Sequence, residues 1–357
     1  MTADLDQKRA DLLARLQTAL ELELATIPPY LVALLSIRLP GNREAAEHIR
    51  GVAIEEMLHV ALIGNVINAV RGVVRIDRDA CPVFPLILTF EGKTFADRRF
   101  PVSLAPFSAA TIKTFMEIEK PAALAGAPLA LDVEIDVPAP TIGDFYMQIL
   151  DLMEEFETAA PGTLFTGDPA RQLGSDFYWG AGGAIIKVTD LASARTAIEQ
   201  VIAQGEAAWP PSQEAFDQSI ERPYGIGHFY RFAEIHHGRY YTTSDAPTGA
   251  PSGPPLTVDY SAVENILPDA KQTSYPAGSL AAELNLRFNT RYTLMLRQLE
   301  EALTGSPDTL YTAIMNGMHG MTSVARKLMA TPIDGDAEQR TGCPSFEWID
   351  WTVVLSQ

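Results

Sequence analysis

Cysteine is scarce in this sequence: 357 residues hold two, Cys81 and Cys343. Neither belongs to a Cys-x-x-Cys pair, which removes a zinc ribbon and a dithiol redox site. Both are expected to be free in a reduced, cytoplasmic chain. Basic residues are also short, with 27 Lys and Arg against 45 Asp and Glu and a formal charge of −18. Nucleic acid and anionic membranes demand a basic face, so neither is expected as the main partner. No basic segment followed by an apolar one opens the sequence, so no secretory signal is read. The longest apolar run, from Ile27 to Ile37, is interrupted by Pro28 and Pro29 and is short for a bilayer span. Gly180-Ala-Gly-Gly183 lacks the Lys and Ser/Thr of a phosphate loop, and no Gly-x-Ser-x-Gly elbow offers a serine nucleophile.

What is present is a globular composition, 47% hydrophobic and 20% charged. Leu5, Leu12, Leu13, Leu16, Leu20, Leu24 and Ile27 recur at three- and four-residue spacing, one face of a long helix. Leu39-Pro-Gly-Asn42 punctuates it, and a second helix is expected from 43 to 70, ending at Arg71-Gly72. Together they read as an αα-hairpin. Residues 73–184 read as a long crossover, with a strand at 86–90 and helices at 108–119 and 141–157. A short strand is expected at 185–188. Helices follow at 190–208, capped by Asp190, and at 223–238. Six prolines in 242–280 mark an irregular linker. Further helices are expected at 280–303 and 310–329. The fold class is therefore mainly α. A bundle over 1–240 is followed by a linker over 241–280 and a helical extension over 281–357 packed on the bundle.

The chemistry gathers at Glu55-Glu-Met-Leu-His59. Glu56 and His59 are three apart on a helix and share a face, so both can bind one metal. Their helix is apolar nearly all round, and a buried acid must be paired, protonated or metal-bound. Glu23 and Met57 each lie 17 residues from Pro40, ~25 Å from the turn at ~1.5 Å per residue. Glu23 is therefore the expected fourth group. Glu21, about 200° round the helix, is expected at the surface or behind the site. Pro28 and Pro29 predict a kink, or a restart of the helix, one turn beyond Glu23.

These segments, 19–31, 55–59 and Asn65-Val-Ile-Asn-Ala69, resemble the ferritin-like family related to iminophenyl-pyruvate dimer synthase. That enzyme type makes the indolic dimer of violacein-like pigment pathways. Phe115-Met-Glu-Ile-Glu-Lys-Pro121, Ile142-Gly-Asp-Phe-Tyr146, Gln204-Gly-Glu206 and His228-Phe-Tyr-Arg-Phe232 extend the likeness over residues 10–240. The resemblance implies a ferritin-like four-helix bundle with long crossover insertions and extra C-terminal helices. It also implies a non-haem iron site of one or two ions, with manganese as the alternative metal. The dimer synthase carries a large additional domain beyond the matching stretch.

Two constellations compete for the second half of the site. Glu206 with His228 fits the resemblance; Glu234 and His237, facing Glu199, fit the two-metal spacing. The expected ligand set is Glu23, Glu56, His59, Glu206 and His228. Gly225 stands where an acid would complete Glu-x-x-His with His228, which predicts a second metal weakly held or absent. Glu119 and Asp144 are further candidates, read first as a cap or a structural ion pair. His48 is expected to be exposed and His319 to pack between small residues. Met315, Met318 and Met321 are expected in the core. Tyr30 and Tyr230 are read as packing groups, or as hydrogen-bond donors near a metal.

Carboxylate and imidazole sites with open positions suit Fe(II). The expected function is oxidative chemistry on a small amino-acid-derived metabolite. Iron storage or sensing without turnover is the alternative, and a metal-free structural bundle the third reading. A small molecule is the expected partner, with self-association into a homo-oligomer left open.

Overall fold

The structure, a computed structural model, describes residues 2–88, 100–121, 124, 141–177, 182–205 and 226–350. Helix α1 (Thr2–Ser36) and helix α2 (Arg43–Ala69) form an antiparallel hairpin. Its register shows at the open end and near mid-length. Arg9 donates to the carbonyl of Val70 at 2.9 Å, and Thr26 Oγ1 lies 3.1 Å from Glu56 Oε2. The apolar periodicity that predicted α1 is what it buries, for Leu12, Leu16, Leu20 and Leu24 all lie in the core. α1 runs through Pro28 and Pro29 as one helix, so of the two readings the restart does not occur.

A two-stranded antiparallel ribbon, β1 (Leu86–Leu88) and β2 (Phe100–Val102), follows the hairpin. Helix α3 (Ala109–Ile118) is capped by Ser108, whose hydroxyl accepts from Thr111 N at 3.1 Å. Helix α4 (Ile142–Ala159) opens with a capping box between Thr141 and Asp144, which settles Asp144 in a structural role. Asp190 caps helix α5 (Leu191–Gly205), accepting from Ser193 N at 2.8 Å. Helix α6 (His228–His237) ends at Gly238, whose φ of +63° suits glycine. α3 packs on α6, α4 on α1 and α5, and α2 against both α5 and α6.

The strand expected at 185–188 does not form. Its backbone is claimed by side-chain amides instead. Asn65 Nδ2 donates to Ile186 O at 2.8 Å, and Gln172 exchanges two 2.7 Å hydrogen bonds with Val188.

Beyond the irregular stretch come helix α7 (Leu280–Thr304), short helix α8 (Thr309–Thr312), a π-helical turn (Ala313–Met318) and helix α9 (His319–Met329). The single helix expected over 310–329 is thus interrupted. α7 packs on α2, and α9 on α7 and α1. By length and composition α1 and α2 could each cross a bilayer. However, 72% and 89% of their most apolar windows are buried inside the molecule, as in core helices. Cys81 and Cys343 are buried and unbridged.

Candidate metal centre

Four helices deliver the polar groups at the heart of the bundle. α1 contributes Glu23, and α2 contributes Glu55, Glu56 and His59. Glu119 is the residue that ends α3, and His228 and Arg231 come from α6. None of these side chains belongs to a residue more than 5% exposed, so water cannot screen their charges. Leu22, Ile142, Val201 and Ile202 contribute to the wall of the cavity of about 20 Å³ beside them, room for one ion or water.

Two groups of ligating atoms are compact enough to hold a cation: Glu23, Glu56 and His59, and Glu56, Glu119 and His228. Glu56 belongs to both. His59 Nδ1 lies 3.1 Å from Glu23 Oε2 and 3.7 Å from Glu56 Oε2. His228 Nδ1 lies 2.8 Å from Glu56 Oε1 and 3.3 Å from Glu119 Oε2. The two imidazoles are 5.6 Å apart, inclined by 22°.

A second ring of groups holds the first in place. The Tyr146 hydroxyl donates to Glu23 and the Tyr30 hydroxyl to Glu119. His59 Nε2 lies 3.0 Å from Gln204 Oε1, and His228 Nε2 lies 2.8 Å from Glu55 Oε2. Glu55 is shared with Arg231, whose Nη2 lies 2.7 Å from the same carboxylate. One residue on a helix is a turn of about 100°. Glu55 therefore faces α6 while Glu56 faces the space between the imidazoles. Gly182, at φ +100°, closes over Glu55: a Cβ there would sit 2.6 Å from Glu55 Cγ.

Burial, then the Glu56 charge, pushes the Glu23 carboxyl up to about 8. Burial would raise Glu56 too, but His228 and His59 hold it well below its usual range. Burial would lower His59, yet Glu23 and Glu56 lift it to about 10. His228 is likewise raised well above its usual value, against burial, by Glu119, Glu55 and Glu56. The metal-free site thus holds protons where it has surplus negative charge.

The donor set fits a divalent cation. Glu55 has its guanidinium, which leaves Glu23, Glu56 and Glu119 facing two imidazoles. His228 Nδ1 is buried without a hydrogen bond, although two carboxylates approach it. A cation bound by carboxylates and imidazole answers both the charge surplus and the orphaned nitrogen.

Of the groups expected from sequence, Glu23, Glu56, His59 and His228 converge here. Glu206 lies outside the described residues; Gly205, just before it, stands with a Cβ position 3.7 Å from Glu119 Oε2. The competing constellation is not assembled. Glu199 is exposed beside Arg195, and Glu234 is bound to His48 at 2.8 Å and to Tyr241 N at 2.8 Å. His48, expected in solvent, is therefore buried by that acid. His237 is half-buried at the far end of α6. Glu119 and Glu55 were the residues that spacing underrated. Their signals were an acid among the apolar residues of 115–119, and a His-x-x-Arg pair needing a buried counter-charge. Tyr146 replaces Tyr230 as the hydroxyl near the site, with Tyr30 as its counterpart.

The fold and this four-helix arrangement define the class. The Ferritin-like family profile matches residues 16–237, and the chain belongs to that family. Among curated proteins it is similar to the dichlorochromopyrrolate synthase of Lentzea aerocolonigenes, at 26% identity over 390 positions. That match takes in 95% of this chain but 36% of the synthase, so the chain spans little more than a third of the relative's length. Among solved structures it is similar to a ferritin-like protein from Caulobacter vibrioides. The TM-score is 0.53 at 20% identity, with 88% of this chain and 93% of the other covered, a likeness of fold.

Proposed function

We propose that this chain is a non-haem iron protein whose site carries out oxidative chemistry on a small, amino-acid-derived metabolite. The observation that carries the reading is the pair of buried carboxylate–imidazole groups sharing Glu56 beside a cavity of ionic size. Glu23, Glu56 and His59 would hold one ion. Glu56, Glu119 and His228 would hold a second, with Glu206 as a further ligand. A bound iron supplies electron transfer to dioxygen or peroxide. The chain's own groups do the rest. Tyr146 and Tyr30 orient Glu23 and Glu119 by donating to one oxygen of each. Gln204 and Glu55 hold the outer nitrogens of the imidazoles, leaving each Nδ1 turned to the carboxylates. Leu22, Ile142, Val201 and Ile202 keep bulk water from the centre. The likeness to a synthase supports a catalytic role over storage.

Metal analysis of protein purified without chelators, in atoms per chain, tests the site. Rapid mixing of the Fe(II)-loaded protein with oxygen tests the chemistry. Iron bound at one or two atoms per chain and oxidised faster than free Fe(II) is the expected result. Glu56→Gln should weaken binding at least ~10-fold, since it removes a ligand common to both groups. Iron absent from wild-type protein, or oxidised no faster than in buffer, refutes the reading. A hollow multi-subunit shell in native mass measurement would move it to storage.

A further inference from the structure

A much larger space than the one at the carboxylates lies elsewhere in the molecule. A cavity of about 430 Å³ lies between the outer face of the α1–α2 hairpin and the α7–α9 segment. Close-packed interiors do not leave such volumes by accident, and this one falls within the range of small-molecule sites. Leu24, Met57 and Val60 form part of one wall. Each follows a ligand candidate, Glu23, Glu56 or His59, by one residue. They lie round the helices from the carboxylates, so the cavity is separate from the metal centre.

The lining is specific in its chemistry. Met57, Met295, Met315, Met318 and Met321 all border the space, half of the chain's ten methionines. Thioether groups adapt in shape and make favourable contacts with aromatic ring edges. Phe346 and Tyr292 add rings, and the Tyr292 hydroxyl is engaged with Cys81 rather than the cavity. Polar groups border only the mouth, where Tyr311 is 53% and Met315 44% exposed beside exposed His319. The wall from Ala313 to Met318 is a π-helical turn, a rare distortion that is frequent at functional sites. Methionines expected as core, and a histidine expected between small residues, thus line and rim a cavity.

We propose that this cavity binds a small, uncharged aromatic molecule, its rings among the methionines and a hydrogen-bonding substituent towards Tyr311 and His319. The site is distinct from the metal centre and does not depend on the iron reading.

The test uses the full chain labelled with methyl-¹³C methionine and titrated with N-phenyl-1-naphthylamine, a neutral aromatic fluorophore. Saturable one-to-one enhancement of fluorescence is expected. The methyl resonances of the five lining methionines should shift, while those of Met116, Met153 and Met329, buried elsewhere, stay in place. Ala61→Phe and Ala313→Phe fill the space from opposite walls and should weaken binding at least ~10-fold with unchanged far-ultraviolet circular dichroism. Absence of saturable binding, shifts spread over all buried methionines, or filled variants that bind like wild type would each overturn the proposal. If a filled variant fails to fold, the methyl pattern of the native chain decides.

Discussion

Glu56 is the residue on which the centre turns. It lies between His59 and His228, within reach of both, and takes a further contact from Thr26. The cluster is dry, and its imidazoles are held charged by the surrounding carboxylates against that burial. That dryness has a consequence for pH. Glu23 is raised from 4.5 to about 8 and His59 from 6.5 to about 10, so the folded metal-free chain holds more protons than the unfolded one. The stability tied to Glu23 is complete below 4.5 and is lost as pH rises through 8. That of His59 is complete below 6.5 and is lost through 10. The melting temperature of metal-free protein should therefore fall from pH 6.5 to 10. Metal-loaded protein, whose ligands must shed those protons, should gain most from its metal at the upper end. Thermal melts with and without chelator across that range check both trends. Glu23 could be chosen over Glu21 from helical rise and rotation. Glu119 could not, because its role depends on α6 bringing His228 beside it.

At the scale of elements, α2 divides its work between two neighbouring acids. Glu56 faces the imidazoles, while Glu55 anchors α6 through His228 and Arg231. The segment that covers Glu55 must pass very close, and Gly182 permits this by having no side chain and a φ of +100°. Gly182→Ala should cost ~1–3 kcal/mol from backbone strain alone and displace Glu55. Chemical denaturation would measure the first effect and metal content the second. The strand expected at 185–188 failed for a related reason. Asn65 and Gln172 supply hydrogen bonds to that backbone, and a sequence window cannot show such distant partners. The helices, by contrast, were legible from their apolar stripes, with Asp190 the cap read from the sequence and Ser108, Thr141 and Ser279 found by the structure to cap α3, α4 and α7.

In the whole molecule, the C-terminal helices are joined to the bundle rather than hung from it. Leu303 of α7 is fully buried and packs where Gly64 opens α2: a Cβ on Gly64 would lie 2.6 Å from Leu303 Cδ2. Asn68 Nδ2 donates to the carbonyl of the same leucine at 2.7 Å. Leu303→Ala should therefore cost ~2–5 kcal/mol by opening a cavity at this seam. Its unfolding should stay a single transition if bundle and extension melt together, and denaturant unfolding followed by circular dichroism reads both.

Two long helices, the turn between them, and a buried acid level with an acid–imidazole pair could all be derived from order and spacing along the chain. Those features are local: helical period, caps and a constant rise carry them without reference to the rest of the molecule. The tertiary structure alone decided that Glu119 and Glu55 join the centre, that His48 takes Glu234 away from it, and that five methionines surround an open space. Each of these is a contact between helices distant in sequence, set by which faces pack together, and no local periodicity encodes that choice.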